Sequence, residues 1–225
     1  MPTVILDVDG TLIDSNDAHA RSWVDAFSAH GVTVDFEPVR RAIGMGGDKL
    51  MPEVSGIEED STQGTAIREY RKRHFKAHYL PHLRPFAGVR EMVERFAAEG
   101  FTLVVASSAG DSELEPLLTQ AGVADLLPQR TSSDDAEESK PEPDIVRAAL
   151  EKASCAPEEA VMLGDTPYDI EAATRAGVQV VALESGGWSR DELRGAAEVY
   201  ASPGDLLRHY DGSLFARMRK VHAKA

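Results

Sequence analysis

Cysteine is almost missing from this sequence: Cys155 is the only one in 225 residues. No intramolecular disulfide can form, a cysteine-rich zinc site is excluded, and a reducing compartment is the expected setting. Basic residues are scarce beside acidic ones, 24 against 38, for a formal net charge of −14. A chain so acidic repels a phosphate backbone, which argues against nucleic acid as a partner. Long apolar runs are missing too; none approaches the roughly 20 residues a membrane helix needs. Met1-Pro2-Thr3 leads straight into Val4-Ile5-Leu6 with no basic stretch before it. Neither a signal peptide nor a membrane partner is expected, and the cytoplasm is the expected location. No internal repeat or low-complexity tract is visible. What is present, 42% hydrophobic and 28% charged residues, suits a packed core and excludes global disorder. The length fits one large domain, or a core with a smaller insert.

Several short apolar runs end in polar residues. Thr3 to Val8 is followed by Asp9-Gly10-Thr11, Phe101 to Ala106 by Ser107-Ser108, Ala160 to Gly164 by Asp165, and Val178 to Leu183 by Glu184-Ser185-Gly186. A continuous apolar run stopped by a turn suits a strand buried on both faces of a parallel sheet. A shorter piece at 126–129 reads as an edge strand. Helical spacing lies between these runs, at 88–99, 112–121, 144–153 and 168–176, with Gly100 and Gly177 as stops. The alternation predicts an α/β fold, a Rossmann-like parallel sheet with helices on both faces.

One stretch breaks the alternation. From Ser15 to His82 there is no good strand, but helical patterns at 21–29, 38–43 and 65–79, with a further helix that Asp48 could cap. We read 15–82 as an inserted α-helical cap domain and 1–14 with 83–225 as the core. The basic tail, 217–224, is expected to fray.

In open parallel sheets, ligands bind at the carboxyl ends of the strands. Asp7, Asp9, Ser107, Asp165 and Asp169 would therefore meet in one crevice. Three or four carboxylates there repel one another unless something neutralises them. A hard divalent cation is the simplest answer, and magnesium is the usual one where phosphate is handled. Asp7 and Asp9 are two apart and share a face. Two aspartates in different environments can supply a nucleophile and a proton donor. Lys140, before Pro141-Glu142-Pro143, is biased toward an extended conformation that projects its ammonium. There it could hold a nucleophile ionised and pair with phosphate.

Four blocks, Asp7-Val8-Asp9-Gly10-Thr11, Ala106-Ser107-Ser108, Ser139-Lys140-Pro141-Glu142-Pro143-Asp144 and Gly164-Asp165-Thr166-Pro167-Tyr168-Asp169, occur in order at the ends of core elements. In these the chain resembles the haloacid-dehalogenase superfamily. The branch is that of phosphoglycolate phosphatase and β-phosphoglucomutase, with a helical cap after the first strand. The resemblance implies Asp7 as the nucleophile that takes the phosphoryl group and Asp9 as general acid and base. It implies Ser107 and Lys140 as phosphate ligands, with Lys140 also orienting Asp7. Mg2+ would be held by Asp7, the backbone carbonyl of Asp9 and Asp165, with Asp169 supporting its water shell. The amides of Val8 and Asp9 would donate to phosphate, and Ser108 would be a neighbour of the site. An aspartate two residues after the nucleophile favours phosphorus chemistry over attack on carbon, because a leaving alkoxide needs a proton.

In the cap, His19 and Lys49 are candidate substrate contacts, the latter from the loop Gly44-Met45-Gly46-Gly47-Asp48-Lys49. Arg68, Arg71, Lys72, Arg73 and Lys76 read as a solvated helix face, or as a local positive field that draws in an anion. The expected activity is a magnesium-dependent phosphatase acting on a small phosphorylated metabolite through an aspartyl-phosphate. The alternatives are a sugar phosphomutase, or a non-catalytic binding or regulatory relative. The mutase pattern resembles this chain at His19 but has an arginine where Gly47 stands. A monomer or homodimer is compatible with the sequence.

Overall fold

The computed structural model describes residues 1–136 and 138–222. Its strands, β1 (Thr3–Leu6), β2 (Thr102–Ala106), β3 (Gln129–Thr131), β4 (Ala160–Gly164), β5 (Gln179–Leu183) and β6 (Glu198–Tyr200), form one sheet ordered β3-β2-β1-β4-β5-β6. Every pairing is parallel, and Leu6 lies in register with Val105 on one side and Leu163 on the other. The strand order runs outward from β1 in both directions. The crevice where such an order reverses lies beside the carboxyl end of β1.

Alternate side chains of a strand point to opposite faces, which gives this sheet two cores. Val4, Leu6, Leu103, Val105, Val161 and Leu163 face one core and Ile5, Val104, Ala106 and Met162 the other. Four helices follow β1 before the chain returns to the core at Pro85: α1 (Asn16–Ala29), α2 (Phe36–Ala42), α3 (Gly47–Ser55) and α4 (Thr62–His78). The rest cover the sheet: α5 (Val89–Ala98), α6 (Asp111–Gln120), α7 (Asp144–Ala153), α8 (Pro167–Arg175), α9 (Pro203–Arg208) and α10 (Leu214–His222). Helices α5, α6, α9 and α10 supply the first core, and α7 and α8 the second. The α/β expectation is met, with helices on both faces.

Helices α1 to α4 share an apolar cluster of their own, in which Trp23, Phe27, Val39, Leu50, Met51 and Ile67 are buried. The chain leaves and re-enters the core at adjacent points. Ile13 forms an antiparallel bridge with Pro85, and the amide of Asp14 donates to the carbonyl of Arg84 at 3.0 Å. No helix among the described residues is long and apolar enough to cross a membrane.

Several boundaries differ from the sequence reading. The edge strand is at Gln129–Thr131 instead of 126–129, and α1 begins at Asn16, five residues before Arg21. Gly46, not Asp48, takes the N-cap position of α3, and the Asp48 carboxylate instead accepts from the Ser139 hydroxyl at 2.6 Å. The short edge strand β6, with one aliphatic residue, and helix α9 were not anticipated. The tail expected to fray continues as α10 to His222; residues 223–225 lie outside the described residues.

Phe96 anchors the first core, with Phe101, Tyr210 and Phe215 rings 4.7–6.0 Å from it, centroid to centroid. It is fully buried, so Phe96→Ala removes apolar area and leaves a cavity. The expected loss is about 3–5 kcal/mol of unfolding free energy, read as a lower urea midpoint at unchanged m-value.

Candidate active site

The site begins where β1 stops. The amide of Asp7 still bonds across to the carbonyl of Leu163 at 2.9 Å. The carbonyl of Val8 then accepts from the amides of Thr11, Leu12 and Ile13, which coils the chain into a tight loop. Gly10 turns that loop with φ +76°. It is also packed: a Cβ there would stand 2.2 Å from both the Asn16 amide nitrogen and an oxygen of Asp165. Only glycine satisfies both demands.

Lys140 is buried, and its ammonium donates to Oδ1 of Asp7 at 2.7 Å, Oδ1 of Asp169 at 2.7 Å and the carbonyl of Ala106 at 3.1 Å. Those three acceptors satisfy all three of its protons. Asp169 has a second task at the start of α8. Its Oδ2 accepts from the amides of Asp165 and Thr166 and from the Thr166 hydroxyl, while that hydroxyl accepts from the amide of Asp169. This capping box fixes the helix end and the site together. Asp165 is held by the hydroxyl of Thr11 (3.1 Å) and the amide of Asn16 (3.0 Å).

Charge is out of balance here. Burial pushes Asp7 up to about 7 against the pull of Lys140, with Asp169 and Asp9 adding to the rise. Burial, and then the charges of Asp7 and Asp169, raise Asp165 well above the carboxylate range. Burial opposes the charge on Lys140, but Asp169 and Asp7 hold it above the ordinary lysine value. One ammonium is too little positive charge for three buried carboxylates. Asp7, Asp165 and Asp169 each bring an oxygen to within 4.8 Å of the others. That all-oxygen donor set suits a hard divalent cation. Two further features fit one: a Cβ on Gly186 would strike Asp165 at 1.6 Å, and the buried Oδ1 of Asn16 has no hydrogen-bond partner. Asp169 already spends both oxygens on donors, so it fits a supporting place better than direct ligation.

Asp9 stands in different surroundings. Its Oδ1 meets the Ser15 hydroxyl at 2.5 Å and Nε2 of His19 at 2.7 Å. Burial raises its pKa, but contact with His19, the Ser15 hydroxyl and the guanidinium of Arg71 win and hold it below the usual carboxylate value. Asp7 and Asp9 thus have their pKa values driven in opposite directions, and without a cation it is Asp7 that holds its proton and Asp9 that is ionised.

A cavity of about 330 Å³ opens between the sheet and helices α1 to α4, and Asp7, Asp9, His19 and Ser108 line it. The hydroxyl of Ser108 donates to the carbonyl of Gly44, and the amide of Gly46 donates to Ser139, so the glycine loop closes over the site. Lys49 does not line this cavity. Its ammonium pairs with Glu138 at 2.9 Å and stands 3.9 Å from Glu142, drawn away by those acids. Ser107 is fully buried at the end of β2, and its hydroxyl accepts from the amide of Ala109 instead of capping α6. Val8 is buried beside Asp7.

Sequence reasoning missed Thr11, Asn16 and Glu113, and it read Arg71 as part of a solvated face or of a local positive field without singling it out. Arg71 is buried and lines the cavity. Thr11 and Asn16 carry no spacing signal, because their partner Asp165 is about 150 residues away.

The model of the haloacid dehalogenase-like hydrolases matches residues 4–183. The chain belongs to this family. It is 31% identical over 222 residues to a phosphoglycolate phosphatase of Rhodospirillum rubrum, with 91% of this chain and 90% of that one covered. A hydrolase from Pseudomonas syringae superposes with a TM-score of 0.85 at 28% identity, covering 94% of this chain and 99% of that one. A CbbY variant from Rhodobacter sphaeroides, in complex with xylulose 1,5-bisphosphate, gives a TM-score of 0.76 at 25% identity, with 92% and 96% covered. All four blocks singled out in the sequence fall within the family match.

Burial raises Asp7 to about 7, and Asp165 is raised too, so the folded hydrolase without metal binds more protons than the unfolded chain from about pH 4 up through the titration of Asp7. Its stability in a chelator should therefore fall as pH rises through that window. Millimolar Mg2+ should flatten the slope, as read by urea denaturation at a series of pH values.

Proposed function

We propose that this hydrolase is a magnesium-dependent phosphatase that releases inorganic phosphate from a small phosphorylated metabolite through an aspartyl-phosphate on Asp7. The observation that carries the reading is the buried Asp7 carboxylate, held through Oδ1 by Lys140 beside Asp165 and lining the cavity of about 330 Å³. The step needs the reverse of the metal-free order: Asp7, ionised by Lys140 and a cation, would attack phosphorus, and Asp9, carrying a proton for this step, would give it to the departing alkoxide. Asp9 would then take a proton from water, and the resulting hydroxide would attack phosphorus and free Asp7. Lys140 would keep Asp7 anionic and offset charge on the phosphoryl oxygens. A magnesium ion on Asp7, the Asp9 carbonyl and Asp165, supported by Asp169, would supply further charge for the same end. Ser107, with the amides of Val8 and Asp9, would complete the phosphate cradle.

Residues 15–82 would act as the cap, excluding bulk water and choosing the substrate. The cavity volume suits a small metabolite, and phosphoglycolate, named for the Rhodospirillum relative, heads the candidates. The mutase reading is disfavoured at Gly47, where the resemblance puts an arginine for a second phosphate. A Cβ at Gly47 would meet a carboxylate oxygen of Glu59 at 2.7 Å, so the space in front of it faces an acid.

Phosphate release from a panel of phosphorylated metabolites, with Mg2+ and with a chelator, tests the proposal. Wild type should turn over in Mg2+ and lose activity with chelator. Asp7→Asn should be inactive yet folded, and Asp9→Asn should be slowed by about 10²–10⁴. Near-normal turnover by Asp7→Asn would refute the nucleophile.

A further inference from the structure

A buried chain of contacts runs from the core to Asp9 through the helical layer. Glu113, in the first turn of α6, places both carboxylate oxygens 2.7 Å from Nη1 of Arg71 on α4. Nη2 of Arg71 meets Nδ1 of His19 on α1, and its Nε donates to the Ser22 hydroxyl at 3.2 Å. His19 then contacts Asp9 through Nε2 at 2.7 Å. Glu113, Arg71 and His19 are 7%, 8% and 5% exposed, so water competes little for any of these contacts. Phe75 braces both cationic and imidazole partners: the His19 ring stacks on it at 4.1 Å and 12°, and the guanidinium carbon stands 4.9 Å over its ring.

The chemistry of arginine gives this chain a direction. A guanidinium has only donors and stays charged. The His19 nitrogen it faces must therefore present a lone pair. The ring is then neutral, its one proton is on Nε2, and that proton is donated to Asp9. We propose that Glu113 is a positioning residue for the proton-transferring Asp9: by anchoring Arg71 it fixes the tautomer and orientation of His19, and so the place of the Asp9 carboxylate. Glu113 belongs to the core and Arg71 to the helical layer. The relay is therefore complete only while α4 is seated on α6. A buried ion pair adds little net stability when compared with apolar packing, but losing one partner strands the other charge. Here that stranded charge would be the arginine that orders His19. The kinetic part of this inference rests on the phosphatase reading; the tautomer part does not.

The test compares wild type with Glu113→Gln, Glu113→Ala and Arg71→Lys, all with Mg2+, by two readouts. Two-bond 15N–1H correlation spectra of histidine-labelled protein, with His19 assigned by its loss in His19→Gln, should show one neutral Nε2–H ring in wild type. The glutamate variants should lose that single pattern. In steady-state kinetics, kcat should fall about 10- to 100-fold, the scale of a misplaced catalytic group, with KM within twofold. Glu113→Gln should fall less than Glu113→Ala because it keeps an acceptor. Arg71→Lys, which keeps the charge but not the three-way fork, should lose the tautomer even if Glu113→Ala does not fold. An unchanged His19 pattern, a kcat within twofold of wild type despite lower thermal stability, or a raised KM at constant kcat would overturn the proposal. If the wild type hydrolyses no phosphomonoester, the phosphatase reading fails, and the spectra alone still decide the relay.

Discussion

The structure around the site depends on one buried ammonium. Lys140 is buried away from solvent, and the free energy of burying its charge is recovered through Asp7, Asp169 and a backbone carbonyl held at bonding distance. Each acceptor comes from a different part of the fold: the end of β1, the end of β2 and the first turn of α8. The sheet brings them together, and the lysine in turn fixes their separation. Three carboxylates gathered there still exceed the positive charge available, which is why Asp7 and Asp165 resist ionisation. The same deficit that makes the metal-free site strained makes it receptive to a cation.

Helices α1 to α4 are fastened to the core by polar contacts at its carboxyl-terminal edge. Arg40 reaches the carbonyl of Gly186, the Tyr168 hydroxyl donates to the carbonyl of Arg41, and Ser108 and Ser139 hold the glycine loop. Asn16 joins both systems, since its amide serves Asp165 and the carbonyl of Gly186 together. Apolar packing joins the helices and the core as well, since Phe75 of α4 is buried in the first core. The cluster around Trp23 and Phe27 gives the helical layer further packing of its own.

The core of this arrangement was legible in the sequence because strand ends are legible. A β-branched run followed by Asp or Ser states both where the sheet stops and which side chain stands at its edge. Asp7, Ser107, Asp165 and Asp169 could be placed together on topology alone. Lys140 needed its proline context. The partners of these residues were not legible. Arg71 shares a helix with Arg68, Lys72, Arg73 and Lys76, and nothing in that run marks the one that points inward. Its acceptor Glu113 is 42 residues away, and their meeting depends on how α4 lies on α6. Lys49 was taken toward the cavity by its loop, but Glu138 offered a nearer charge. β3 was misplaced by three residues and β6 passed over because edge strands carry too few apolar residues to announce themselves.

The bridge between Ile13 and Pro85 has a consequence for how such a molecule can change over generations. Both ends of the helical segment pass through one narrow gate in the core, a few ångströms apart. A segment hung in this way can grow, shrink or be traded for another without altering any strand register. The side chains at the strand ends keep their places whatever hangs from that gate.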